Sequence, residues 1–147
     1  MEHHYNFARQ LRRMCGKAGL SLTGEWVGTN RCAVQWDSGN DVIADLRTMA
    51  PDEFDACQAK MDELLIDLIR QIQPVNVILV GHFACRLFYP NLYAHRFARC
   101  TCPPYEKLLP MWVPNLEGTS WIIPIQHPSM PINEKLATER LRIHFRQ

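Results

Sequence analysis

No stretch of the 147 residues stays apolar long enough to cross a bilayer, and the start is polar, with His3 and His4 close to it. Neither a membrane span nor a secretion leader is therefore expected. No charge of one sign dominates: Lys and Arg number 16 against 15 Asp and Glu, a formal net charge of +1. Global electrostatics thus give no pull toward nucleic acid, and any polyanion site has to be a local patch. Closely framed cysteines are missing too. Cys15, Cys32, Cys57, Cys85, Cys100 and Cys102 are scattered, unlike those of a small secreted scaffold, so reduced thiols and a cytoplasmic setting are expected. Cys100-Thr-Cys102, with His95 nearby, lacks zinc-knuckle spacing and a second ligand pair, so no metal is expected there. What remains is ordinary globular composition, 47% hydrophobic and 21% charged. The length suffices for a real core, and residues 1–147 read as a single domain.

Residues 4–18 carry Phe7, Leu11, Met14 and Ala18 on one helical stripe, with Arg9, Arg12 and Arg13 largely off it. Gly16 and Gly19 suit the helix end. Glu25 to Asn30 reads as a short strand with a polar tip, and 33–50 as a loop around Asp37-Ser-Gly-Asn40. Pro51-Asp-Glu53 opens the strongest helix, with proline and two acids in the first turn, where the helix dipole favours them. Phe54, Met61, Leu64, Leu65, Leu68, Ile69 and Ile72 give it a broad face for burial, and Gln73-Pro74 stops it. Val75 to Val80 is an apolar run typical of a central parallel strand. A helix over roughly 82–89 follows. Residues 90–118 show no clear period and read as a long loop over one end of the sheet. Ser120 to Gln126 is the next strand, and Pro131 to Phe145 a helix with Ile132, Leu136 and Ile143 facing in.

Helices and strands thus alternate along the chain, the pattern of a parallel sheet with helices on both faces. Right-handed crossovers then bring Asn30, Gly81 and His127 to one carboxyl edge of that sheet. Such edges are where α/β proteins place their ligands. The run Trp121-Ile-Ile-Pro-Ile-Gln-His-Pro-Ser129 is the most pointed of these signals. Pro128 fixes its own φ and offers no N–H, which stiffens the loop that carries His127.

Read in order, these pieces resemble the uracil-DNA glycosylase superfamily, closest to its thermophile-type branch with an iron–sulfur cluster. Leu11 to Leu20 looks like the helix before that family's second strand, and Thr29-Asn30-Arg31-Cys32 like its strand-end Thr-Asn motif. Pro51 to Cys57 and Gln73 to Gly81, with Ala84 beyond, match next; Gly118 to Pro124 and His127-Pro128-Ser129 complete the series. The resemblance implies a three-layer α/β/α sandwich with a short, mostly parallel sheet. The family's first strand, with its Gly-rich acidic motif, has no counterpart, so the fold is expected to be truncated at the N-terminus. The family's first cysteine pair would lie in that same region. Cys32 and Cys57 resemble only the second pair, and two ligands cannot hold a four-cysteine cluster. No cofactor is expected from this chain alone.

By resemblance, His127 donates a hydrogen bond to the departing uracil and Asn30 reads the polar edge of the base. Ser129 and the backbone of Pro128 to Pro131 hold phosphate, Met130 wedges into the vacated stack, and Gly81 permits close backbone approach. The residues themselves leave plainer readings open. Asn30 also suits a turn, His82 a helix start, Met130 the core, and the C-terminal arginines a helix dipole. Tyr89, Tyr93, Arg96, Phe97 and Arg99 suit either a strand-binding surface or a solvated loop edge. The expected activity is base excision from uracil-containing DNA, single-stranded DNA being a natural partner, if another residue or a partner chain replaces the acidic motif. The alternative is an inactive nucleic-acid-binding or protein-interaction module, an accessory to a replication or repair enzyme, whose open sheet edge a protein partner completes.

Overall fold

The computed structural model describes residues 2–21, 27–28, 48, 50–89, 105–114, 119–127 and 134–146. The expected strand at 25–30 and the Thr29 to Cys32 motif fall almost wholly outside them. Helix α1 spans Glu2–Lys17. It ends as the glycines suggest: Gly19 takes φ 78°, and the Leu20 N–H reaches back to the Cys15 carbonyl at 2.9 Å. Met14, Cys15 and Ala18 are buried on its inner stripe, while Arg9, Arg12 and Arg13 face solvent.

Helix α2 runs Pro51–Ile72, with Asp52 and Glu53 in its first turn. Gln73 turns left-handed (φ 51°) and donates its N–H to the Ile69 carbonyl at 2.8 Å, and Pro74 prevents continuation. Its apolar face is less buried than the periodicity predicts. Met61 is buried and Leu65, Leu68 and Ile69 are half-buried, but Leu64 is 56% and Ile72 45% exposed. Leu64 flanks the stripe and Ile72 sits on the last turn, so periodicity overstates the contact.

Strand β1 is Asn76–Val80, followed by the single-turn helix α3, His82–Cys85. The helix expected over 82–89 is shorter because residues 86–89 continue only as turns, with the Tyr89 N–H on the Cys85 carbonyl at 3.0 Å. The region read as a loop over 90–118 contains a 3₁₀ turn, Tyr105–Lys107, and strand β2, Met111–Pro114. Strand β3 is Thr119–Ile125 and helix α4 is Glu134–His144. On α4, Ala137, Arg140 and Leu141 are buried, whereas Ile143, expected to face in, is 51% exposed. None of the helices among the described residues is long and apolar enough to cross a membrane.

The sheet has the order β1-β3-β2. β1 and β3 run parallel, from Asn76 opposite Trp121 to Val80 opposite Ile125. β2 runs antiparallel to β3, from Met111 opposite Ile122 to Pro114 opposite Thr119. The protein is therefore mixed α/β with a mixed sheet, which corrects the expectation of a parallel one. The missed strand is only four residues long, and its Trp-Val pair lies between a methionine and a proline, too short a run to register as period two. Proline in it fits an edge position.

Apolar residues pack on both faces of β3. Ile123 and Ile125 meet Met14, Cys15, Ala18, Ala137 and Leu141 from α1 and α4. Ile122 meets Leu79, Cys85, Tyr89, Tyr105 and Leu108 on the other side. Burying each isoleucine stabilises the fold by about 1.5–3 kcal/mol. Outside the core, the Glu134 carboxylate accepts from Lys17 Nζ at 2.7 Å and lies 3.8 Å from Arg13, linking the α1 end to the α4 start.

Burial also sets thiol chemistry. It pushes the Cys15 thiol up to about 11 and Cys85 up to about 12, while Cys57 is exposed on α2. At pH 8 a thiol reagent followed by peptide mapping should label Cys57 rapidly in the native protein. Cys15 and Cys85 should stay unlabelled until denaturant is added; fast labelling of either would refute this packing.

Candidate active site

The parallel pair β1 and β3 ends level, at Val80 and Ile125, and the two chains leave the sheet side by side. Gly81 donates its N–H to the Ile125 carbonyl at 2.9 Å, extending the ladder one step beyond the strand. Its backbone sits at φ 85°, ψ 158°, a region that side-chain-bearing residues scarcely enter. A Cβ at this position would lie 3.6 Å from the Cβ of His127. Gly81 and His127, placed together by the sequence reading, are thus in contact distance at the carboxyl edge. Asn30, Pro128, Ser129 and Met130 lie outside the described residues.

His127 is half-buried, and desolvation lowers its pKa from 6.5, favouring the neutral imidazole. A neutral imidazole still carries one N–H donor and one acceptor nitrogen. Next along the chain from Gly81, His82 opens α3, and its ring centroid lies 4.3 Å from that of Tyr105, tilted by 44°. The helix-start reading of His82 therefore holds, with an aromatic neighbour that the sequence reading did not supply.

Tyr105 is itself held by Arg140. The Arg140 guanidinium, only 5% exposed, donates through one nitrogen to the Pro124 carbonyl at 2.9 Å and through another to the Tyr105 carbonyl. It thereby fastens the 3₁₀ turn to the end of β3. Burial lowers its pKa from the ordinary guanidinium value, and the groups around it (Tyr89, Cys85, Glu106 and Tyr105) pull the other way. Tyr105, Pro124, Ile125, Gln126, Leu136, Ala137 and Arg140 line a crevice of only about 10 Å³, no larger than a single water. Tyr105 and Arg140 are the residues the sequence reading missed here. The available signal was position: Arg140 falls between Ala137 and Leu141, where the helical spacing calls for an apolar side chain.

No group of three or more His, Cys, Asp or Glu able to hold a metal occurs among the described residues. Of the two cysteines that resemble a cluster-binding pair, Cys57 is exposed on α2 and Cys32 lies outside the described residues. Searches with the whole chain found no matching family model, no matching curated protein and no matching solved structure.

The Gly81→Ala substitution should lower unfolding free energy by about 1–3 kcal/mol, read as a shift in urea midpoint, because the strain lies in the backbone. An unchanged midpoint would contradict the geometry at this turn. His127 and His144 both have lowered pKa values: burial acts on each, and on His144 also the charges of Arg146 and Arg140. The unfolded chain takes up these protons near pH 6.5, the folded chain only at lower pH. Their contribution is therefore fully present above that value and is lost as pH falls below it. Thermal midpoints should drop between pH 7 and 5, and His127→Gln should make that drop shallower. An identical slope in the variant would remove His127 from the account.

Proposed function

We propose that the carboxyl edge of β1 and β3 receives a nucleobase turned out of DNA, and that this chain is a uracil-DNA-glycosylase-like protein. The observation that carries the reading is the close approach of Gly81 and His127 at the ends of adjacent parallel strands. The sheet carries α1 and α4 on one side and the single-turn α3 with the Tyr105 turn on the other, which is in keeping with a layered α/β arrangement, the antiparallel β2 being a departure from that superfamily's mostly parallel sheet. A base inside a duplex is out of reach, so it must leave the stack before chemistry.

In base excision the bond between sugar carbon and uracil nitrogen breaks, its electron pair leaving with the base. Positive charge grows on the sugar, negative charge on the uracil, and water adds to the sugar carbon. The N–H of a neutral His127 stabilises the pyrimidine oxygen as charge collects there, without bringing a net charge of its own. Asn30 reads the amide edge of the base, Ser129 and the Pro128 to Pro131 backbone hold a phosphate, and Met130 fills the vacated stack. Another residue or a partner chain orients the attacking water.

One observation favours a second reading, binding without hydrolysis as an accessory to a replication or repair enzyme. Among the described residues β1 pairs only with β3, which leaves its other edge for a strand from another protein.

The protein should release uracil from single-stranded oligonucleotides, detected as alkali-sensitive abasic sites. His127→Ala should slow this release about 10²–10³-fold, the effect of removing one transition-state donor. Release that persists at the wild-type rate in the variant would dismiss His127. If the wild type releases no uracil but binds the oligonucleotide with salt-dependent affinity, the accessory reading stands instead.

A further inference from the structure

The opposite end of the sheet carries a second set of groups that the base pocket does not use. Trp112 on β2, which among the described residues pairs only with β3, is 57% exposed and stands directly across from Trp121, so the two indoles share one face of the sheet. The Arg146 guanidinium carbon lies 5.1 Å from the Trp121 ring centroid, and the His144 ring 5.6 Å from it. Arg146 does not reach that place by chance of a long side chain alone. Asn76, opposite Trp121 on the other flank, clamps its backbone: Nδ2 donates to the Arg146 carbonyl at 2.5 Å and Oδ1 accepts from the Arg146 N–H at 2.8 Å.

We infer that Trp112, Trp121 and Arg146 form a binding platform for single-stranded nucleic acid, with one base stacked on Trp112 and the neighbouring phosphate on Arg146. The platform lies at the amino ends of β1 and β3, away from Gly81 and His127, and does not depend on the base-pocket reading. A guanidinium packed over an indole keeps its in-plane N–H fork free for a phosphate. Among the described residues no carboxylate pairs with that fork. The exposed indole offers a flat apolar face, which accepts any base, since every base has a π-face. Charge and stacking surface therefore match a flexible polyanion with aromatic rings, and a duplex, whose bases are already stacked, fits the platform poorly.

The test is fluorescence anisotropy of a labelled oligothymidylate titrated with the full chain at low salt, beside an oligonucleotide of equal length made of abasic units. The thymidylate should bind at least about tenfold more tightly than the abasic strand. Trp112→Ala should erase that preference, with Trp112→Phe retaining most of it. Arg146→Ala should weaken both strands and reduce the slope of log affinity against log salt by about 0.7, the share of one phosphate. Uracil release is assayed separately on the same variants, so that failure of the base-pocket reading and failure of the platform are distinguishable. Equal affinity for both strands, wild-type binding by Trp112→Ala, or no thymidylate binding at low salt would overturn the inference. Trp112 is mostly solvent-exposed, and a far-ultraviolet circular dichroism spectrum checks that its replacement leaves the fold intact.

Discussion

From Ile122 to Ile125, strand β3 has no wet face. Ile123 and Ile125 are closed over by α1 and α4, and Ile122 by α3 and the Tyr105 turn, while both of its edges are hydrogen-bonded. A strand in that position has to be apolar along that stretch, and removing it would leave two clusters without a common wall. Everything else is located relative to it: β1 by parallel pairing, β2 by antiparallel pairing, and α4 by packing and by the arginine it sends inward.

That arginine shows how a charged group is kept in a core. Arg140 gives up most of its contact with water, and two backbone carbonyls take its donors. Without the guanidinium, each carbonyl that also lost water would cost about 1–3 kcal/mol. The arrangement joins three segments distant in sequence: α4, the end of β3 and the 3₁₀ turn. A similar logic operates at the other end of the sheet, where the Asn76 side chain satisfies the backbone of Arg146 and sets a cation over Trp121. Both ends of β3 are therefore fixed by polar contacts that helix packing alone would not supply. The imidazole of His127 stands at one end, and Trp112 and Trp121, opposite each other in register, at the other.

The parts legible in the sequence were those governed by local periodicity and by stop signals. Pro51 and Gln73-Pro74 bound α2 as read, Gly19 closes the turn after α1, and β3 begins and ends within one residue of the expected strand. The contact between Gly81 and His127 was also foreseeable, because parallel pairing brings successive strand ends to one edge. Strand β2 was not. Four residues give too little pattern, and whether they pair depends on β3 lying beside them. Leu64 and Ile143 went wrong in the same way: a helical stripe shows which side is apolar, but not how far its neighbours extend over it.

The sequence by itself determined where the main helices and the two parallel strands form. Those outcomes depend on backbone preferences and on residues within a turn or two of each other. Tertiary structure alone decided that Arg140 is buried, that Tyr105 lies against His82, and that Trp112 faces Trp121 beside a clamped Arg146. Each of these is a meeting of segments far apart in the chain. Such meetings follow from pairing register and from the hydrogen-bond needs of buried groups, neither of which the local order of residues encodes.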